Sequence, residues 1–145
     1  MQIRAYQPAD KSALLHVLRK NIPRYFAPEE EADYKDYLSD HAEHYYVVTD
    51  HDKVIGAGGY NYAADEVRIS WDFIDPAWQG RGVGRKLLSY RMEQIKKDAS
   101  VQEVVVRTSQ HAWSFYAKSG FVLEYSKEDY WAPGFDLYYM KCRLR

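Results

Sequence analysis

The chain has 145 residues, 46% of them hydrophobic, enough for one globular domain with a dry core and no covalent staples. Lys plus Arg number 20 against 21 Asp plus Glu, a formal net charge of −1, which excludes a dedicated nucleic-acid binder and a polybasic membrane-surface protein, since both carry a basic excess. The single Cys142 excludes an intramolecular disulfide and a cysteine-cluster metal site, no apolar run approaches the ~20 residues of a membrane span, and the opening MQIRAYQPAD lacks the apolar stretch of a secretory signal, so the expected compartment is the cytoplasm.

In chain order, Gln2–Tyr6 is predicted as a strand stopped by Pro8. Lys11–Lys20 places Leu14, Leu15, Val17 and Leu18 on one helical face. Asn21–Pro28, with two prolines, is a loop. Glu29–Glu31 then put acids where a helix N-terminus favours them, with Tyr34, Tyr37 and Leu38 at helical spacing. Tyr45–Val48, Val54–Tyr62 and Glu66–Ile74 read as a three-strand meander, joined at Asp50–Lys53 and at Asp65-Glu66. Gly56, Gly58 and Gly59 inside the second of these strands predict a bulge or the close approach of another backbone. Asp75-Pro76 ends the third. A helix is predicted from Gly82 to Lys97, with Val83, Leu87, Met92 and Ile95 inward. Glu103–Thr108, with three consecutive valines, reads as a buried strand. Gln110–Ser119 is a short helix ended by Gly120, and Phe121–Ser126 and Leu137–Leu144 are the last strands. The order β-α-α-β-β-β-α-β-α-β-β predicts an α/β fold, a mixed sheet with flanking helices and a parallel crossover in its middle.

The segment that carries chemistry is Gln79-Gly80-Arg81-Gly82-Val83-Gly84, between a strand and a helix. Glycines at alternate positions let main-chain N–H groups converge, and the helix N-terminus that follows favours an anion. Such a nest holds phosphate oxygens, and Arg81, Arg85 and Lys86 add positive charge around it. The plainer alternative is a turn that merely needs glycine. Two nucleotide motifs fit poorly: the Gly-Lys-Ser/Thr of a Walker loop is absent, and the spacing is G-x-G-x-G rather than the dinucleotide fingerprint G-x-G-x-x-G.

With Gln79, Gly82 and Gly84 in the pattern Gln/Arg-x-x-Gly-x-Gly/Ala, the chain resembles the GNAT superfamily of acyl-CoA-dependent N-acyltransferases. The resemblance extends to Trp71–Pro76 before the motif, to Leu87-Leu88 after it, and to Ala112–Phe121 downstream. It implies a central mixed, mostly antiparallel sheet whose parallel middle strands splay apart, flanked by helices, in one domain over residues 1–145. It also implies acetyl-CoA as co-substrate and no metal, with Gly80, Arg81, Gly82, Val83, Gly84, Arg85 and Lys86 around the pyrophosphate. The main chains of Phe73 and Ile74 would hold the pantetheine arm as an added strand. Many members carry Asn seven residues before the motif Tyr; here Ser109 stands there, a shorter donor and acceptor, with Gln110 beside it to compensate.

The implied reaction is attack of a neutral amine on a thioester. An amine with pKa ~10.4 is mostly protonated near neutrality, so a proton must leave, directly or through water. By match, Tyr116 is the general acid to the departing sulfur, a phenol being protonated at neutral pH. The base is not fixed by a motif. Alternation along Glu66–Ile74 sets Arg68, Ser70 and Asp72 on one face and Val67, Ile69, Trp71 and Phe73 on the other. Asp72 is the first candidate and Glu66 the second, against the plain reading of each as a solvated or ion-paired carboxylate.

His41 and His44 with Asp40 and Glu43 are poor evidence for a metal. Tyr34, Tyr37, Tyr45 and Tyr46 read as core or groove wall. Arg24, Tyr25 and Phe26 sit where the family has a mobile substrate-side loop, with a packed loop as the equal alternative, and Trp131–Asp136 read as a turn that in this family can border the acceptor or a dimer contact. The expected partner is an amine of a small molecule or peptide, with neither nucleic acid nor membrane. The rival expectations are a non-catalytic acyl-CoA-binding domain of the same fold and a nucleotide-binding domain using the same turn.

Overall fold

A computed structural model describes residues 1–64 and 66–145, so the turn expected at Asp65 lies outside the described residues. Among the described residues seven strands form one sheet in the order β1-β2-β3-β4-β5-β7-β6. They are β1 (Gln2–Ala5), β2 (Tyr45–Asp50), β3 (Lys53–Ala63), β4 (Glu66–Ile74), β5 (Glu103–Thr108), β6 (Val122–Ala132) and β7 (Phe135–Arg143). All pairs are antiparallel except β4–β5. The helices are α1 (Lys11–Lys20), α2 (Glu30–Asp40), α3 (Val83–Lys96) and α4 (Trp113–Lys118). Among the described residues no helix is long and apolar enough to cross a membrane.

The helices divide between the two sheet faces. Leu14, Leu18, Tyr34 and Leu38 of α1 and α2 pack with Val47, Ala57 and Phe73. On the other face, Leu88 and Ile95 of α3 and Tyr116 of α4 pack with Val67, Ile69, Val104, Val106 and Met140. Fully burying a Leu or Phe side chain contributes about 1.5–3 kcal/mol, so these two cores carry the fold. Tyr34, Tyr37 and Tyr45 are core residues, and their rings meet edge to face.

The helix expected from Gln110 begins only at Trp113, after a turn in which the Ala112 and Trp113 N–H groups bond the Ser109 carbonyl, and two strand boundaries also differ from the sequence pattern for local reasons. The β2–β3 hairpin turns on His51 and Asp52 alone, both at positive φ (49° and 63°), so β2 continues to Asp50. A two-residue turn of this kind matches the right-handed twist of its strands. β6 runs on through Lys127 and Asp129 to Ala132 and turns at Pro133-Gly134. From Val122 to Tyr130 it is exposed at every position, an edge strand whose charged run does not end it.

The parallel β4–β5 ladder is short. It pairs Val67 with Val104, Arg68 with Val105 and Ile69 with Val106, and then stops. β4 continues through Ser70–Ile74 paired only with β3, so the two central strands splay beyond Ile69.

The far end of β4 is pinned to α1. Buried Asn21 donates its Nδ2 to the carbonyls of Val17 (3.0 Å) and Ile74 (3.2 Å). Lys20 Nζ lies 3.0 Å from buried Asp75 Oδ2, while Asp75 Oδ1 accepts the Ala77 N–H. Burial pushes the Asp75 carboxyl up, but the Ala77 N–H and Lys20 outweigh it and hold the group below the ordinary carboxylate value. The unfolded state therefore takes up a proton first. This contribution to stability is complete above the unfolded pKa of ~3.9 and is lost as pH falls through the lower folded value. Lys20→Met is expected to move the acid-unfolding midpoint, followed by far-UV circular dichroism, to higher pH. An unmoved midpoint would show that Lys20 contributes nothing there.

Candidate active site

Asp75 N-caps a 3-10 turn over Pro76–Trp78, and the chain then enters the glycine-rich segment. Gly80 and Gly82 have φ of +79° and +80°, a region costing a side-chain-bearing residue ~1–2 kcal/mol. A Cβ at either would meet nothing within 4 Å, so the surface over the turn is open. Gly82 caps α3 with no side-chain hydrogen bond. The N–H groups of Val83, Gly84 and Arg85 are first-turn donors without an intrahelical acceptor. Val83 turns its side chain into the core with Val48, Ile55 and Leu87. Arg81 lies over the Trp78 ring at 4.9 Å, and Arg85 and Lys86 are exposed. Gly84 has no left-handed φ, and a Cβ there would sit 3.3 Å from the edge of the Phe115 ring, a close contact that a small shift of the ring relieves. Gln79 is exposed, with long 3.4 Å contacts to Asn21 Oδ1 and the Ile74 carbonyl.

Phe73 and Ile74 pair with Ala57 and Gly56 of β3, and neither pairs with β5. Ser109 is buried, and its Oγ accepts the His111 N–H at 3.2 Å, bracing the turn into α4. Gln110 does not stand in for the missing Asn. Its Nε2 donates to the Gly134 carbonyl and its Oε1 accepts from the Asp136 N–H, both at 2.8 Å, so the amide is spent on the β6–β7 turn.

The regular alternation expected along β4 fails in its middle. Pairing jumps from Gly59 opposite Ser70 to Ala57 opposite Phe73, so Trp71 and Asp72 together face the single Gly58. This is a β-bulge, and Trp71 takes φ +48° within it. The extra residue reverses the faces. Val67 and Ile69 pack on the α3 side, but Trp71 and Phe73 pack with Tyr34 on the α2 side. Ser70 bonds Asn61, itself bonded to Tyr37 of α2, whereas Asp72 turns toward α3 and α4. Asp72 and Ser70 therefore do not share a face. The displaced Trp71 carbonyl is satisfied by the Tyr45 hydroxyl at 2.8 Å, which also meets the Tyr34 hydroxyl at 2.9 Å.

At the splay, Tyr116 donates its hydroxyl to Asp72 Oδ2 at 2.5 Å. Asp72 Oδ1 lies 2.5 Å from Nη2 of Arg91, whose side chain is 0% exposed. That contact is an ion pair without hydrogen-bond alignment, and neither atom has an aligned partner elsewhere. Burial, followed by the Asp72 charge, pushes the Tyr116 phenol well above its ordinary value, although Arg91 opposes the shift. Arg91 was not singled out from the sequence. Its signal was position: it lies four residues from both Leu87 and Ile95, inside the buried stripe of α3.

Glu66 is elsewhere. It lies six residues from Asp72, about 20 Å along an extended strand. It accepts from the Tyr139 hydroxyl and from Arg68, both at 2.6 Å. It lines an open cavity of ≈ 530 Å³ with Arg107, Tyr125 and Lys141. Burial raises its carboxyl, but Tyr139 and Arg68 leave it below the ordinary value. Among the described residues no three His, Cys, Asp or Glu side chains gather as a metal site, and His44 stacks on Tyr60 at 4.6 Å.

Residues 16–144 match the family model for the acetyltransferase (GNAT) domain. A curated relative, an uncharacterized ycf52-like N-acetyltransferase of Prochlorococcus marinus, is 38% identical over 55 residues; the match spans 37% of this chain and 30% of that protein's length. Among similar solved structures is the ribosomal-protein-S18-alanine N-acetyltransferase of Escherichia coli, with TM-score 0.79 and 22% identity over 99% of this chain and 93% of that one. Another is the PaiA N-acetyltransferase of Thermoplasma acidophilum in complex with coenzyme A, with TM-score 0.75 and 17% identity over 98% of both chains. At these identities the structures speak to the fold. With its seven-stranded sheet, one parallel pair and glycine-rich helix entry, the chain belongs to the GNAT acetyltransferase family.

Proposed function

We infer that the protein transfers an acetyl group from acetyl-CoA to a primary amine of a small molecule or peptide. The observation that carries this reading is the uncapped, left-handed glycine turn opening α3 beside the part of β4 that has no β5 partner. A pyrophosphate fits that turn, because first-turn N–H groups converge on an anion and nothing stands where a Cβ would be at Gly80 or Gly82. Arg81, Arg85 and Lys86 supply the countercharge. The main chain of Phe73 and Ile74 offers an edge for an extended arm. Bound acetyl-CoA would supply the activated acetyl thioester.

On this reading the amine nitrogen bonds the acetyl carbon as the carbon–sulfur bond breaks; the proton that nitrogen loses goes to Asp72, and the departing sulfur takes the proton of Tyr116, which Asp72 then replaces. Tyr116 is the proton donor. Asp72, rather than Glu66, is the carboxylate that acts with it, because Asp72 is hydrogen-bonded to Tyr116 whereas Glu66 is engaged by Tyr139 and Arg68. Acid and carboxylate are one hydrogen-bonded unit, so neither acts independently. The ribosomal-protein acetyltransferase among the structural neighbours supports keeping peptides beside small amines as acceptors.

A broad amine screen with acetyl-CoA, followed by free-thiol release, tests the reading. Binding without thiol release from any amine would favour a non-catalytic acyl-CoA-binding domain. At a 100-fold excess over Kd, acetyl-CoA is expected to stabilise the fold by ~2.7 kcal/mol, a melting shift of about 5–11 °C for a chain this size. A shift with ATP or NAD but none with millimolar acetyl-CoA would overturn it. Gly82→Val strains the φ of +80° and crowds the amides. It is expected to raise the acetyl-CoA Kd roughly tenfold or more, the equivalent of one lost hydrogen bond to a charged group. Unchanged affinity in a folded Gly82→Val variant, by calorimetry, would make the turn merely structural.

A further inference from the structure

Arg91 is a cation with no exposed side-chain surface, in the interior of a helix whose neighbouring inward positions are Leu87 and Ile95. A charge removed from water needs an anion and fixed acceptors around it. Arg91 has them on three elements. Nη1 donates to the Gly59 carbonyl of β3 at 3.0 Å, Nε to the Leu87 carbonyl of its own helix at 3.3 Å, and Nη2 faces Asp72 Oδ1 on the β4 bulge. The space for this arrangement exists because residue 58 is glycine: a Cβ there would lie 2.1 Å from Asp72 Oδ1 and 2.8 Å from Arg91 Nη1. Well-packed apolar residues generally match a buried ion pair for stability, so stability alone does not call for these charges.

We propose that Arg91 is a positioning residue for the Tyr116 hydroxyl, acting through Asp72. The guanidinium is anchored to two backbones and fixes the carboxylate through Oδ1. That leaves Oδ2 aimed at Tyr116. The Tyr116 ring is set by edge contacts with Phe115 and Phe121, at centroid separations of 5.0 and 5.7 Å. Ring packing leaves the O–H free to rotate; Asp72 holds it until the carboxylate takes the amine's proton, whereupon the Asp72 carboxyl donates to the Tyr116 oxygen and the phenolic O–H turns to the sulfur. The inference rests on the reading of Tyr116 as the proton donor to the thioester sulfur.

The test is a double-mutant cycle on kcat with one identified amine, using Arg91→Gln, Asp72→Asn and the two combined. Arg91→Gln is expected to lower kcat by ~10-fold or more with the acetyl-CoA Kd unchanged within ~3-fold, and to add less than about twofold when Asp72 is already Asn. Fully additive losses, or a wild-type kcat in folded Arg91→Gln, overturn the proposal. Should the singles not fold, Arg91→Lys decides: it keeps the cation but loses the fork that holds Gly59 and Asp72 together. A wild-type kcat in Arg91→Lys overturns the proposal and a reduced one supports it. A readout independent of turnover is the 13Cζ NMR signal of Tyr116, assigned with Tyr116→Phe. It should move in Arg91→Lys while the signal of Tyr34 stays, and a stationary Tyr116 signal overturns the inference. Wild-type protein that binds acetyl-CoA but acetylates no amine would fail the enzymatic reading instead. A fast Tyr116→Phe variant would fail the assignment of the acid.

Discussion

Tyr116→Phe is expected to lower kcat by about 10²–10⁴-fold, the range of general acid catalysis, while the acetyl-CoA Kd stays within a few-fold. The substitution removes one atom. The ring is 4% exposed and wedged between Phe115 and Phe121, so Phe keeps the packing and loses only the oxygen that donates to Asp72. The lost hydrogen bond leaves Asp72 Oδ2 short of its donor, a cost of ~1–3 kcal/mol in stability that a denaturant melt would register separately from turnover. The pH dependence adds a second check. Burial first, and then the neighbouring carboxylate, hold the Tyr116 phenol well above its usual value, so it stays protonated through the neutral and mildly alkaline range. Any alkaline fall in kcat at neutral or mildly alkaline pH must therefore belong to another group and should survive in Tyr116→Phe. Turnover within twofold of wild type, with chemistry shown to be rate-limiting, would remove Tyr116 from the mechanism.

The sequence was most informative where one local rule dominates. α1 and β4 have the limits that their patterning and flanking residues predict, and the glycine turn carries its own backbone demand at Gly80 and Gly82. The heart of the candidate site was harder to read because it depends on a bulge. Gly58 and Gly59 signalled one, but not that the extra residue sits on β4, and one extra residue turns Asp72 from the α2 side to the α3 side. Gly59 has a separate cause, since a Cβ there would meet the His44 carbonyl at 2.3 Å. Arg91 was hidden by the habit of reading charged residues as solvated. Its partner lies nineteen positions earlier in the chain (91 − 72), reached only when α3 packs across the bulge. The extent of β6 was concealed for the opposite reason. An edge strand exposed on both faces has no alternation, so the pattern ended this strand at Ser126, before the charged run Lys127-Glu128-Asp129.

Gly58→Ala is expected to destabilise the protein by ~3–5 kcal/mol, the cost of breaking a buried ion pair, and to depress turnover with it. The methyl group would stand 2.1 Å from Asp72 Oδ1 and within 2.9 Å of two atoms of the Arg91 guanidinium. Arg91 has little room to retreat, because it is held to Gly59 and Leu87 and enclosed by α3 and β3. Asp72 can move only by leaving the bulge or releasing Tyr116. Whichever group yields, a charge loses its partner inside the fold. The comparison is Gly84→Ala: no left-handed φ is required there, the nearest atoms belong to the Phe115 ring at 3.3 Å, and alanine is the better helix former by ~0.5–1 kcal/mol. Gly84→Ala should therefore stay close to wild type in a denaturant melt while Gly58→Ala falls far below it. In whatever fraction of Gly58→Ala remains folded, kcat should drop while the acetyl-CoA Kd changes little, since the glycine turn at α3 is untouched. If Gly58→Ala melts within about 1 kcal/mol of wild type, the bulge has enough slack to absorb a methyl group, and the close packing of Gly58, Asp72 and Arg91 is not what holds the Tyr116 hydroxyl.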